Sequence, residues 1–525
     1  MPNSMRWETD PGFRLPGGDP AWIETRGEGT VLRSVPGRTV SRVLSPDGTR
    51  VIVKAWRARG WLDALRLVFT SSPGRRERDR AREALARGVP VARPLALGER
   101  RRFGFLLDSL LAFECLEGVP LDAALASRPP GDPARNRLLE ALAGFLREVH
   151  DRGLHHGDLH AGNVLFREDP GRLRFFLLDL GAARFRARMG TREREEGLAQ
   201  IGLFLLGRTS AAERMRFLRG YLGASAGREE RRDLARRMGI RTEREARILW
   251  ERRERRCTAE NREFAPWAQG AFRGYARRGP WPAPGEDPAR VFEPGRARVL
   301  KDSRGALSVL FEGGGGWVFG KRYRLRSWAE ALRGLFRPSR ALRAWRRAYA
   351  LELRGIPTPR PLLAASRRVL GIPVESVFFC EGLPDARGLD ALARESRAAG
   401  REGGRRLRAF LPLLGRAVGA LHRLGFSHRD LKAGNLLASG GGTPAPFLAD
   451  LEGLRYLRAV SPPRREKDLA RFLRSAREDC GLTRADWMRV LAAYARAASG
   501  PAGGLRALAT AVDLRARAAR NGGGA

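Results

Sequence analysis

At 525 residues the chain exceeds what one hydrophobic core organises, and its 43% hydrophobic fraction supports two or more globular domains. No run of roughly eighteen apolar residues occurs, which argues against a membrane-spanning helix, and the four scattered cysteines (Cys115, Cys257, Cys380, Cys480) form no CxxC pair, which predicts reduced thiols in a cytoplasmic setting. The net charge of +41, almost wholly arginine, has two readings: a drift of composition toward Arg, Ala, Gly and Pro, or attraction to an anionic membrane surface, with no motif for specific nucleic-acid binding.

Residues 1–29 are rich in Pro and Gly and predict a loose lead-in. From Val31 the pattern is one of hairpins: VLRSVPGRTVSRVL, a turn at Pro46-Asp47-Gly48, then TRVIVKAW. A strand there sets Lys54 on the face opposite Val51 and Val53. Only Lys54, Lys301, Lys321, Lys432 and Lys467 are lysines, so each marks a position that arginine has not taken over. A helix-like segment, Arg75–Arg87, ends at Gly88-Val89-Pro90, and Glu77, Asp79 and Glu83 are alternative partners for Lys54. The strand-like FGFLLDSLLAFECLEGVPL predicts a hinge at 114–118, where backbone groups near Glu114 meet a nucleobase edge. An amphipathic helix over Ala134–His150 runs into LHHGDLHAGNVLF, which carries Asp158 and Asn163, and FFLLDLGAAR follows with Asp179. Up to Gly279 the pattern is helical and Arg-rich, and includes an apolar helix at Leu198–Leu206.

The Pro/Gly-dense stretch Arg278–Gly295 predicts a linker at 281–295 between domains spanning 30–280 and 296–520. Then the order restarts. Two strand-like runs lead to WVFGKRY with Lys321. Ser339–Arg354 is helix-like and ends at Gly355-Ile356-Pro357. SVFFCEGL predicts a second hinge at 380–382, including Glu381. Leu411–Leu424 reads as an amphipathic helix with Pro412 in its first turn, and FSHRDLKAGNLLA brings Asp430 and Asn435, with Asp450 after PFLA. Asp158 and Asp430, Asn163 and Asn435, and His150 and His422 all share one separation along the chain. From Asp179 to Asp450 it is a single position shorter, and from Lys54 to Lys321 five positions shorter. Near-constant offsets across separate motifs mean one fold built twice.

These residue types suit phosphoryl transfer, which needs positioning and charge neutralisation more than covalent chemistry. A carboxylate, Asp158 or Asp430, accepts the proton of an acceptor hydroxyl. An Asn amide oxygen and an Asp carboxylate suit magnesium, a cation that prefers oxygen ligands, and a lysine supplies a point charge to phosphate. No GxGxxG loop precedes either lysine; Ser34–Thr39 and Lys301–Gly305 stand in its place.

The layout resembles the catalytic and metal-binding loops of the protein-kinase fold, and both halves resemble the lipopolysaccharide core (Kdo/heptose) kinase family. The quoted motifs carry that resemblance, with SRALRAWRRAYALELRGIPTPRPL, LARGVPVARPLALG and RREKDLARFLRS. It implies an α+β chain of two tandem bilobal domains, each a small antiparallel β lobe on a larger helical lobe. It implies ATP and Mg2+ as cofactors, Asp158 and Asp430 as catalytic bases, and Asn163, Asp179, Asn435 and Asp450 as metal ligands. Lys54 and Lys321 would hold phosphate, and Asp468 would support the second loop. The implied activity is phosphorylation of sugar hydroxyls on a lipid-linked core saccharide at the inner face of the cell membrane. A protein Ser/Thr kinase and a partly non-catalytic scaffold are the alternatives. The second copy departs from the pattern: Glu452 replaces the glycine after Asp450-Leu451, and no helix glutamate is well placed for Lys321, Glu352 lying near the helix end.

Overall fold

A computed structural model describes residues 4–10, 15–25, 29–58, 60, 65, 67–68, 70–206, 208–223, 225–279, 281, 287–440, 444–498 and 504–521. The chain divides into two compact units, Met1–Arg247 and Ile248–Ala525, with the division inside the helix Arg228–Glu254. Each unit sets an antiparallel sheet beside a helical lobe, as the α+β expectation requires.

In the first unit five strands lie in the order Pro94–Arg102, Phe105–Glu114, Arg50–Arg57, Arg38–Leu44, Thr30–Val35. Both faces of Arg50–Arg57 are covered. Val51, Val53 and Ala55 pack with Leu95, Leu110 and Ala112, while Ile52 and Lys54 face the other way, toward the helix Pro73–Ala86. That helix starts where Ser72 Oγ accepts from the Arg75 amide at 3.0 Å, with Pro73 in its first turn. It stops at Gly88, whose φ is 72°. There the Val89 N–H donates to the Ala84 carbonyl and the Gly88 N–H to the Leu85 carbonyl, both at 2.8 Å. The second unit repeats these ends at Ser339 and at Gly355.

In the helical lobe, Leu138, Leu139, Leu142, Phe145, Leu146 and Val149 of the helix Pro133–Asp151 form the core stripe read from the sequence. Its second-unit counterpart is longer than expected. It runs Gly400–Arg423, so Pro412 lies inside it, not in its first turn. The missing N–H at Pro412 costs a ladder bond. Burial of Phe410, Leu411, Leu414, Val418 and Leu421 on the same face holds the helix through it.

Three boundaries differ from expectation. The lead-in is not wholly loose, since Arg6–Thr9 pairs with Pro94–Arg102, and Leu15 and Ile23 are buried in the first sheet's core. The first domain does not extend to 280. The hairpin of Phe264–Gln269 and Phe272–Arg277 adds two strands to the second unit's sheet, beside Pro361–Val369. Phe264 is fully buried there, edge-on to Trp345 and Tyr349 at 5.5 and 4.9 Å. Nor is 281–295 a bare linker, because Trp281 and Phe292 pack on Phe379 in the second unit's core. In the first two cases an edge strand with unpaired backbone groups is covered, and in the third the apolar face of an interior strand is covered. Among the described residues no helix is long and apolar enough to cross a membrane.

Candidate active site

In the first unit a cleft of about 330 Å³ is lined by Lys54, Glu77, Glu114, Asn163 and Asp179. Lys54 is positioned by ladders to Val40 and Leu111 on either side. Its ammonium bonds the Glu77 carboxylate, lies 3.6 Å from Asp179 Oδ1, and stands 5.3 Å from the centre of the Phe113 ring. Glu77 settles the choice among three candidates. Asp79 pairs with Arg78 and Glu83 with Arg87. Glu77 shares the helix's buried stripe with Gly74, Ala81 and Ala84, while Asp79 and Glu83 lie off it.

Asp179 sits in left-handed backbone at φ 57°, and Asp450 repeats this at φ 49°. Such geometry in a non-glycine residue is uncommon and clusters at functional sites. Arg38, which opens the strand Arg38–Leu44, bonds Asp179 Oδ2 at 3.0 Å. Burial pushes the Asp179 carboxyl up, but Lys54 and Arg38 outweigh it and hold it below the usual carboxylate range. Arg38 was missed from the sequence. Its signal was faint: an arginine directly after Pro36-Gly37, in the stretch that stands where a phosphate loop was sought.

Asp158 lies in an adjacent groove that also contains Glu77 and Asp179. The Asn163 amide nitrogen donates to the Asp158 carbonyl at 2.9 Å, closing the loop between them. His156 Nε2 bonds the Leu178 carbonyl at 2.9 Å, and burial pushes its pKa down, so the ring acts as a neutral brace between the two loops. From below, Gln200 grips the loop with both ends: its Oε1 accepts from the Leu159 amide at 2.7 Å and its Nε2 donates to the Gly157 carbonyl at 3.1 Å. Gly157 has φ 78°, and a Cβ there would meet the Ala182 carbonyl oxygen at 2.5 Å, so the residue before the loop aspartate is glycine by necessity.

Glu114 lines the cleft without turning its donors to it. Its N–H donates to the Arg93 carbonyl at 3.0 Å and its Oε1 accepts from the Arg93 N–H at 2.9 Å. Cys115 and Leu116 are the hinge residues next along the cleft. The second hinge repeats this, with the Glu381 N–H on the Arg360 carbonyl at 2.9 Å.

The second cleft, about 500 Å³, gathers Lys321, Glu381, Asn435 and Asp450, with Glu452. Lys321 Nζ lies 3.0 Å from Asp450 Oδ1 and 3.1 Å from Glu452 Oε1. Glu352 is not its partner; it bonds Arg277 at 2.6 Å. Asn435 Nδ2 donates to the Asp430 carbonyl at 2.8 Å and to its Oδ2 at 3.1 Å, and Lys432 lies 3.0 Å from the same carboxylate. Burial pushes the Asp430 carboxyl up, and Lys432 and Asn435 together hold it below its ordinary value. Asp468 supports this loop while only 1% exposed, accepting from Ser427 Oγ at 2.7 Å and the His428 amide at 3.1 Å. Counted back by the separation of Asp179 and Asp450, its counterpart in the first unit is Gly197, which has no side chain to offer. The two loops are therefore braced differently, by Asp468 in one and Gln200 in the other.

A sheet-over-helix fold built twice, with a lysine, an asparagine and one aspartate lining each cleft and a second aspartate tied to that asparagine, defines a tandem ATP-dependent phosphotransferase. The model of the lipopolysaccharide kinase (Kdo/WaaP) family matches residues 24–221 and 292–494, and the chain belongs to that family. It is 28% identical over 253 residues to the lipopolysaccharide core heptose(I) kinase WaaP of Pseudomonas aeruginosa, covering 46% of this chain and 93% of that protein. Two 3-deoxy-D-manno-octulosonic acid kinases of Xylella fastidiosa are 33% and 35% identical over 120 and 121 residues, each match covering 23% of this chain and 45% of the kinase. A solved structure of WaaP in complex with acyl carrier protein aligns over 47% of this chain and 99% of that one, at 26% identity and a TM-score of 0.36.

Proposed function

We propose that the protein transfers the γ-phosphate of ATP to a sugar hydroxyl of the lipopolysaccharide core, and that its first unit carries the transfer. The observation behind this is the meeting of Lys54, paired to Glu77, with Asn163 and Asp179 on one cleft, and of Asp158 with Asp179 in the groove beside it. In this reading Asp158 accepts the proton of the incoming sugar hydroxyl. Lys54, held by Glu77, fixes the inner phosphates, and the hinge after Glu114 receives the adenine. Magnesium suits the donor set: the Asn163 nitrogen is committed to the Asp158 carbonyl, which leaves Oδ1 beside the Asp179 carboxylate as hard oxygen ligands. That ion, when bound, supplies neutralisation of the phosphate charge. The excess of arginine supports residence at the inner face of the membrane, where a lipid-linked acceptor is held.

The test is to incubate the purified chain with ATP, magnesium and dephosphorylated core lipopolysaccharide, and to locate phosphate by mass spectrometry. Asp158→Ala is expected to lower kcat by about 100-fold or more, the range of a lost general base. A loss of only half would mean that the second unit transfers phosphate as well. Phosphate on protein serines with none on sugar would overturn the reading in favour of a protein kinase.

A further inference from the structure

In the second unit the carboxylate that partners the lysine has moved to another element. Ala344 stands as far along the chain from Glu77 as Lys321 does from Lys54. The two helices share a serine N-cap and a left-handed glycine after the C-terminus, so Ala344 holds the place of the partner glutamate. It is 2% exposed and carries no charge. Glu452, in the loop that begins at Asp450, is the counterpart of Gly181 in the loop that begins at Asp179. One of its oxygens lies 3.1 Å from Lys321 Nζ, and the other accepts from Arg340 at 2.8 Å.

Arg340 opens the helix Arg340–Leu353 and is 8% exposed. Its guanidinium stacks 4.6 Å from the Tyr323 ring centre and donates to the Gly305 carbonyl at 3.0 Å. Further along the same helix, Arg347 donates to the carbonyls of Leu451 and Glu452, both at 3.0 Å. The tie between helix, lysine and loop survives with its polarity reversed: the helix supplies the cations and the loop supplies the carboxylate. An ion pair depends on distance and desolvation, not on which element carries the carboxylate. Lys301 and Arg298 line the same cleft, so its charge suits a polyphosphate.

We propose that Glu452 is a positioning residue that replaces the absent helix glutamate, and that it keeps the second unit competent to bind a nucleoside triphosphate. This rests on the kinase reading of the site, but it assigns binding to the half whose sequence departs from the pattern. The test uses the full chain carrying Lys54→Ala, which removes phosphate binding by the first unit, with ATP and magnesium titrated by calorimetry. One ATP per chain is expected to remain. Glu452→Gln, which keeps shape and drops charge, is expected to weaken binding by about tenfold or more without shifting the melting temperature. Moving the carboxylate back, Glu452→Gly with Ala344→Glu, is expected to restore affinity to within about threefold. No ATP binding in the Lys54→Ala chain overturns the inference. Unchanged affinity in Glu452→Gln does so too, whether or not the rebuilt pair folds. Proposed sugar phosphorylation by the first unit would survive either result, because the unaltered chain reports it separately.

Discussion

His150 and His422 show how one buried polar pair was kept in both halves. His150 Nδ1 meets the Tyr221 hydroxyl at 2.7 Å, and His422 Nδ1 meets the Tyr494 hydroxyl at 2.9 Å. Burial, helped by Arg194, pushes His150 down from 6.5 to about 3. The folded chain therefore holds this ring neutral where the unfolded chain protonates it. Its contribution to stability is complete above pH 6.5 and drains away as the pH falls toward 3, at about 1.4 kcal/mol per pH unit for one proton. Chemical denaturation of His150→Gln between about pH 5.5 and about pH 4 should show a slope shallower by that amount than the parent's. An equal slope would mean that the ring is protonated in the folded state. At this scale the sequence was readable where rarity marked the residue. Of five lysines, Lys54, Lys301 and Lys321 line the two clefts and Lys432 contacts Asp430. Arg38 offered only the faint signal of Pro36-Gly37 before it, and Gln200 was not readable, because nothing local sets one helix glutamine apart from its neighbours.

Elements were legible where the chain repeats itself and illegible where a neighbour far along the chain decides. The helix bearing Glu77 was legible as a helix ended by Gly88-Val89-Pro90, but the face that selects Glu77 over Asp79 and Glu83, with Gly74, Ala81 and Ala84, shows only in the packing. FAPWAQGAFRGYAR alternates aromatic and small residues around a Gly turn, a hairpin signal hidden by the helical stretch before it. Pro412 misled because a proline ordinarily marks a helix start, and only packing against a distant helix shows otherwise. That packing depends on Gly415 and Gly419, which let the helix Gly400–Arg423 approach Arg484–Ala497. A Cβ on Gly419 would stand 2.7 Å from both the Tyr494 carbonyl oxygen and the Ala497 Cβ, and one on Gly415 would fall on the Val490 carbonyl. Gly419→Leu is expected to cost about 1–3 kcal/mol, the range for overpacked cores. Differential scanning calorimetry should show a transition lowered by several degrees, and an unshifted transition would mean that the helices can separate freely.

Across the whole molecule the duplication is closer in backbone than in charge. Asp179 and Asp450 adopt the same left-handed turn, and Glu114 and Glu381 the same tie to an arginine carbonyl, yet the carboxylate beside the lysine and the brace beneath the loop differ. The arginine excess belongs to this scale as well. If it reflects composition alone, it should confer no preference among surfaces. If it holds the chain at a membrane, attraction must follow lipid charge and weaken as salt screens it, the screening length shrinking from about 10 Å at 0.1 M to about 3 Å at 1 M. With vesicles containing about one-third anionic lipid, the chain is expected to co-sediment at low salt, to leave them near about 0.5 M, and to ignore zwitterionic vesicles throughout. Many weak contacts, each worth about 1 kcal/mol beside an anionic surface, give that steep response, whereas a single lipid-specific pocket would release its ligand gradually. Binding that persists at high salt would therefore replace a diffuse electrostatic surface with a discrete lipid site, and failure to sediment at low salt would leave the charge of +41 to composition.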